Sequence, residues 1–151
     1  MPKRELSVLA SGYTYLEGLR WHEDRLWASD FYTEQVIAVD LQGRVEQICR
    51  VPQQPSGLGW LPDGRLLISS MKDRKVLRRE PEGTLAVHAD LSALTGGPIN
   101  DMVVDAQGRA YVGNFGFDLM AGAPVATTTL VRVDLSLIHI SEPTRPERNS
   151  Y

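Results

Sequence analysis

The residues of this chain best placed to do chemistry are oxygen donors that recur at one position of a repeat. Glu17 opens Glu17-Gly18-Leu19-Arg20-Trp21, Ser56 opens Ser56-Gly57-Leu58-Gly59-Trp60, and Asn100 opens Asn100-Asp101-Met102-Val103-Val104. A carboxylate, a hydroxyl and an amide brought together suit a hard divalent cation such as Ca²⁺ or Mg²⁺. Asp101 adds a second carboxylate beside Asn100. Alone, Glu17 reads as a solvated residue before a strand. Its recurrence in register with Ser56 and Asn100 is what argues for a ligand. Other chemistry has less support. His22 and His88 stand alone and read as solvated strand-end residues. There is no Gly-x-Ser-x-Gly elbow, no Cys-x-x-Cys and no phosphate-binding glycine loop before a helix.

The elements that must position these donors are short hairpins. In each repeat a polar residue precedes an apolar strand, a turn follows, and a second apolar strand begins at Arg25, Arg65 or Arg109, 40 and 44 residues apart. That period is the length of a four-stranded propeller blade. A second hairpin completes the first two repeats, over residues 35–49 and 75–88. Glycines 43, 64, 83 and 108 fall at the turns, 21, 19 and 25 residues apart. Glycine supplies the positive φ that a tight hairpin connection needs. Period-two alternation without a long 3.6-period segment predicts an all-β chain. A β-sandwich of independent hairpins accounts for strands and turns but not for one motif recurring at blade spacing. The reading is therefore a partial β-propeller with blades at 16–52, 55–92 and 99–135, and residues 6–15 could add an outer strand. In a propeller the innermost strands begin around one end of a central channel, which would bring Glu17, Ser56 and Asn100 together. Trp21 and Trp60 correspond in the repeat and read as packing between blades.

Bulk properties narrow the partners. The 151 residues carry a formal net charge of −3 with no basic run, so nucleic acid is not an implied partner. No segment approaches the ~18 apolar residues of a membrane span, and no signal-peptide core is evident, so the cytoplasm is the expected compartment. The lone cysteine, Cys49, lies in an alternating strand and reads as a buried thiol.

The third repeat departs from the pattern. Residues 115–128 are longer than the matching connections and read as a surface loop at one mouth of the assembly. Beyond residue 135 the expected glycine turn and fourth strand do not come, and Pro143 and Pro146 interrupt the pattern. Residues 136–151 resemble a translated sequencing adapter joined to a truncated frame, and are set apart from the fold as a non-native or disordered tail.

With Leu16-Glu17-Gly18-Leu19-Arg20-Trp21, Asn100-Asp101-Met102-Val103-Val104-Asp105 and Tyr111-Val112-Gly113-Asn114-Phe115-Gly116 in hand, residues 5–135 resemble the SMP-30/gluconolactonase/regucalcin-like family. The resemblance implies a six-bladed propeller that hydrolyses a small-molecule lactone with one divalent cation (Ca, Mg, Mn or Zn) on its axis. This chain would then be the N-terminal half, inactive alone because its metal site is incomplete. Glu17 matches the family's first metal ligand, Asn100 a substrate- or metal-facing amide, and Asp101 its supporting carboxylate. Asp118 falls near an acidic substrate contact, and Ser56 completes the rim. An Arg that some members carry two residues before the Asn is Pro98 here. The catalytic base is not assigned. The competing readings are a non-enzymatic propeller that binds a ligand or protein, and a strictosidine-synthase-like propeller enzyme.

Overall fold

A computed structural model describes residues 1–135. Residues 136–151, expected from the sequence to be a non-native or disordered tail, lie outside the described residues. The described chain folds into antiparallel sheets in sequence order, with no helix. The first sheet holds β1 (Leu16–His22), β2 (Arg25–Asp30), β3 (Gln35–Val39) and β4 (Val45–Arg50). The second holds β5 (Pro55–Trp60), β6 (Leu66–Ser70), β7 (Lys75–Arg79) and β8 (Leu85–Asp90). The third holds β9 (Ile99–Val104), β10 (Ala110–Asn114) and β11 (Val131–Val133). Each strand pairs with its neighbour in sequence, so every sheet is an up-and-down meander. This is the all-β, blade-by-blade architecture expected of a partial propeller. Among the described residues no helix is long and apolar enough to cross a membrane.

Alternation on the strands explains how the sheets stack. Trp27 on one face of the first sheet meets Leu58, Leu66 and Ile68 on the opposing face of the second, together with Val36, Ala38 and Val51. On the other face of the second sheet, Leu67 and Val76 meet Ile99, Met102, Ala110 and Val112 of the third. Adjacent residues of one strand thus serve two different cores, as period-two geometry requires. His22 lies flat against Trp60, with ring centroids 3.8 Å apart, and Trp27 meets Trp60 edge-on at 5.2 Å. His22 is therefore packed between sheets and not solvated as expected. His88 is also partly buried, with Nδ1 3.3 Å from an Arg78 nitrogen. Burial, with the nearby Arg78 and Arg65 charges, holds its pKa below the usual histidine value. Of the paired tryptophans, Trp60 packs between sheets. Trp21, on a face with no sheet against it among the described residues, is 57% exposed.

The expected outer strand over residues 6–15 does not form. Leu6 and Val8 are exposed, while Ala10 and Tyr13 cover Ala28, Ile37 and Val39 on the free face of the first sheet. Cys49 sits in β4, and burial pushes its thiol up to about 11, which leaves it an inert packing residue.

Candidate functional site

The innermost strands β1, β5 and β9 approach one another closely, and glycine makes that possible. A Cβ at Gly18 would lie 2.2 Å from the Ser56 carbonyl oxygen, and one at Gly57 would lie 2.5 Å from the Met102 nitrogen. The next position in the series is Asp101, which points to solvent instead. The hairpin register slips at the same place in each sheet: between Glu17 and Arg20, between Pro55 and Leu58, and on the β10 strand between Val112 and Asn114, opposite Asn100 and Asp101. A bulge re-aims the side chains beside it. Here the slips fall at the starts of the inner strands, beside Glu17, Ser56 and Asn100.

Glu17 and Asn100 line one cavity of about 230 Å³. Glu17 is half-buried, and desolvation holds its pKa above the usual carboxylate value; Ser56 opposes the shift and the Asp101 charge adds to it. Ser56 is fully buried behind Glu17. Its Oγ is close enough to favour the ionised carboxylate, yet it makes no hydrogen bond of good geometry. The Ser56 carbonyl is held from below by Ser29 Oγ, which donates at 2.7 Å. Asn100 curls over Gly113, where a Cβ would stand 2.8 Å from Asn100 Oδ1. The glycine leaves the amide its space.

The other expected site residues lie elsewhere. The Asp101 side chain is 72% exposed and pairs at 3.0 Å with Arg20, which also donates to the Met102 carbonyl at 2.5 Å. Asp101 thereby ties β1 to β9 across the second sheet's inner strand, and reaches Glu17 only through its charge. Asp118 accepts from the Ala121 N–H at 3.2 Å and lines a separate cavity with Lys72, Arg74 and Pro98.

The rest of the cavity wall was not singled out from the sequence. Phe31, Met71 and Phe115 each follow the second strand of a sheet, directly after Asp30, Ser70 and Asn114. Their backbone nitrogens make the same bond in every sheet, to the carbonyls of Tyr15, Gln54 and Pro98, at 3.0, 2.9 and 2.9 Å. All three side chains line the cavity with Glu17 and Asn100. The signal was available as a large apolar residue at one position of the repeat. Asp30 anchors this rim, accepting from the Thr14 and Tyr15 N–H groups and from the Thr14 and Thr33 hydroxyls. Asn114 does so in the third sheet, donating to the Thr129 carbonyl at 2.7 Å and accepting from Thr128 Oγ1. These bonds draw the 115–130 loop in, and Leu119 and Met120 close the wall.

The donors can contribute to a divalent-cation site. Glu17 is a desolvated carboxylate, Ser56 Oγ is a buried oxygen without a partner, and Asn100 adds an amide. No cluster of three or more His, Cys, Asp or Glu side chains suited to a metal occurs among the described residues. The 6–8 oxygens that Ca²⁺ takes are not all supplied by them.

Comparison with known proteins places the fold. A gluconolactonase from Xanthomonas campestris superposes with a TM-score of 0.64 at 20% identity, over 72% of this chain and 38% of that one. The calcium-binding protein regucalcin from Agrobacterium tumefaciens gives 0.56 at 21%, over 67% and 39%. Virginiamycin B lyase from Staphylococcus aureus gives 0.55 at 11%, over 68% and 38%. The chain thus spans less than half the length of these solved structures. No curated protein sequence matches it. The sequence profile described as the SMP-30/gluconolactonase/LRE-like region matches residues 16–145, so the chain belongs to that family.

Proposed function

We propose that this chain carries part of the active site of a divalent-cation-dependent lactone hydrolase, with Glu17 as a metal ligand and Asn100 beside it. The observation that carries this reading is the pairing of a desolvated Glu17 with Asn100 at one end of the inner strands. The gluconolactonase and regucalcin likenesses support it. When bound, the cation would polarise the lactone carbonyl and lower the pKa of a coordinated water.

The chain's own residues prepare that site. Burial makes the Glu17 carboxylate expensive to ionise without a counter-charge, so a cation is the natural partner for it. The Ser56 hydroxyl has room to orient toward that carboxylate, and the Asn100 amide can accept from or donate to a substrate oxygen. Apart from Glu17, Asn100 and the two tyrosine hydroxyls, the wall around them is apolar. The described residues supply only part of a ligand set, and the base that takes a proton from the attacking water is not assigned among them.

The test has two parts. The 151-residue chain should show no metal-dependent lactone hydrolysis. A form extended by blades that supply oxygen ligands across the channel should bind the cation and turn over. In that form Glu17→Gln should abolish metal binding and His88→Ala, on the outermost strand, should not. Metal-dependent turnover by the 151-residue chain alone would refute the partial-site reading. A completed ring that binds its cation yet hydrolyses no lactone would favour the ligand-binding alternative.

A further inference from the structure

We propose that the substrates of this site are lactones with an alkyl or aryl substituent, and that polyhydroxylated sugar lactones are poor ligands; the inference rests on the lactone reading above. It comes from the wall around Glu17 and Asn100. Phe31, Met71 and Phe115 supply an apolar group from the same position of each sheet. Tyr15 and Tyr32 stand beside Phe31, with ring centroids 6.0 Å from Tyr15 to Phe31 and 4.8 Å from Phe31 to Tyr32, in edge-to-face contact. Leu119 and Met120 come over from the long loop.

The hydrogen-bonding groups on the described part of the wall carry this substrate class. Apart from Glu17 and Asn100, the lining side chains offer only the two tyrosine hydroxyls. A sugar lactone brings a hydroxyl on nearly every ring carbon, and each one buried without a partner costs free energy. An aromatic ring alone could stack on the apolar face of a sugar. Leu119, Met71 and Met120 have no group to satisfy the hydroxyl edge. These side chains instead gain from covering methylene or ring carbon, which contributes about 0.8 kcal/mol, or about fourfold in affinity, per fully buried methylene. Tyr32, Leu119 and Met120 are exposed large side chains gathered at this mouth, where a substituent would shield them.

Saturation-transfer NMR on the 151-residue chain tests this without requiring turnover. The probes are γ-butyl- and γ-hexyl-γ-butyrolactone, δ-gluconolactone, and 2-hexyltetrahydrofuran, which keeps the hexyl chain and lacks the carbonyl. Affinity is expected to rise severalfold from the butyl to the hexyl lactone, with gluconolactone about tenfold weaker than the hexyl compound. Tyr32→Ser and Met120→Ser alter exposed positions and should weaken the probes that carry a hexyl chain while leaving δ-gluconolactone unchanged. Gluconolactone binding as well as the hexyl lactone, no dependence on chain length, or no binding of any probe would overturn the proposal. Equal binding of hexyl lactone and 2-hexyltetrahydrofuran would retain the apolar mouth and sink the lactone reading on which the proposal rests.

Discussion

Glu17 is costly to the fold in the absence of a cation, and that cost has a measurable sign. Its pKa is raised from 4.5 by desolvation first, with the Asp101 charge adding and Ser56 opposing. A carboxylate raised in this way contributes stability that is fully present below its unfolded pKa and is lost as pH rises through the folded value. Glu17→Gln mimics the protonated form. Without metal the variant should therefore be more stable than the parent at pH 7 and equal to it near pH 4, as read by urea denaturation at both pH values. Asp105 behaves oppositely. Burial raises its pKa, but hydrogen bonds from the Arg109 side chain and backbone, Tyr111 and the Gln107 N–H overcome this and hold it at about 2. It contributes stability above its unfolded pKa of 3.8, lost as pH falls through about 2. A carboxyl-carbon NMR titration should give a midpoint of about 2, moving upward in Arg109→Ala.

At the level of the strands, close approach decides what each repeat tolerates. Gly57 has backbone atoms of β9 within 2.5–2.8 Å of where a Cβ would sit. Gly57→Ala must push β5 and β9 apart, at a cost of about 1–3 kcal/mol. A shifted chemical-denaturation midpoint, with a smaller effect for Gly64→Ala, would check it; Gly64 has positive φ but nothing near its Cβ. The same strands show what the sequence made legible. Turn glycines and period-two alternation placed the hairpins, because both are local consequences of backbone geometry. The repeat brought Glu17, Ser56 and Asn100 together because equal register puts them at one end of the inner strands. What escaped depended on the partner sheet. His22 read as solvated because nothing in its own hairpin reveals Trp60 stacking on it. Residues 6–15 alternate weakly, yet no strand edge receives them, and they cover the first sheet through Ala10 and Tyr13 instead. The apolar rim of Phe31, Met71 and Phe115 is not legible within one hairpin, because a large apolar residue after a strand reads as core until the neighbouring sheets bring the three together.

Across the whole described molecule, the two outer sheets turn unequal faces to solvent. The positions filled in the second sheet by Leu58 and Trp60 are Leu19 and Trp21 in the first, and both are exposed. On the third sheet Val103 and Leu130 are exposed beside Tyr111. Apolar faces built for a neighbouring sheet favour self-association. Sedimentation velocity is expected to show concentration-dependent species, reduced by Leu19→Lys with Trp21→Lys; a sharp monomer at high concentration would contradict this. The central claim, that Glu17 and Asn100 form part of a cation site, is tested most directly with Mn²⁺ as a paramagnetic probe. Titrated at neutral pH into ¹⁵N-labelled protein, Mn²⁺ should broaden the amide resonances around Glu17 and Asn100 first, with an affinity of about millimolar. The effect should disappear in Glu17→Gln and fade as the pH is lowered and the carboxylate takes up its proton. Broadening centred instead on exposed carboxylates such as Asp63, or unchanged by Glu17→Gln, would contradict the account.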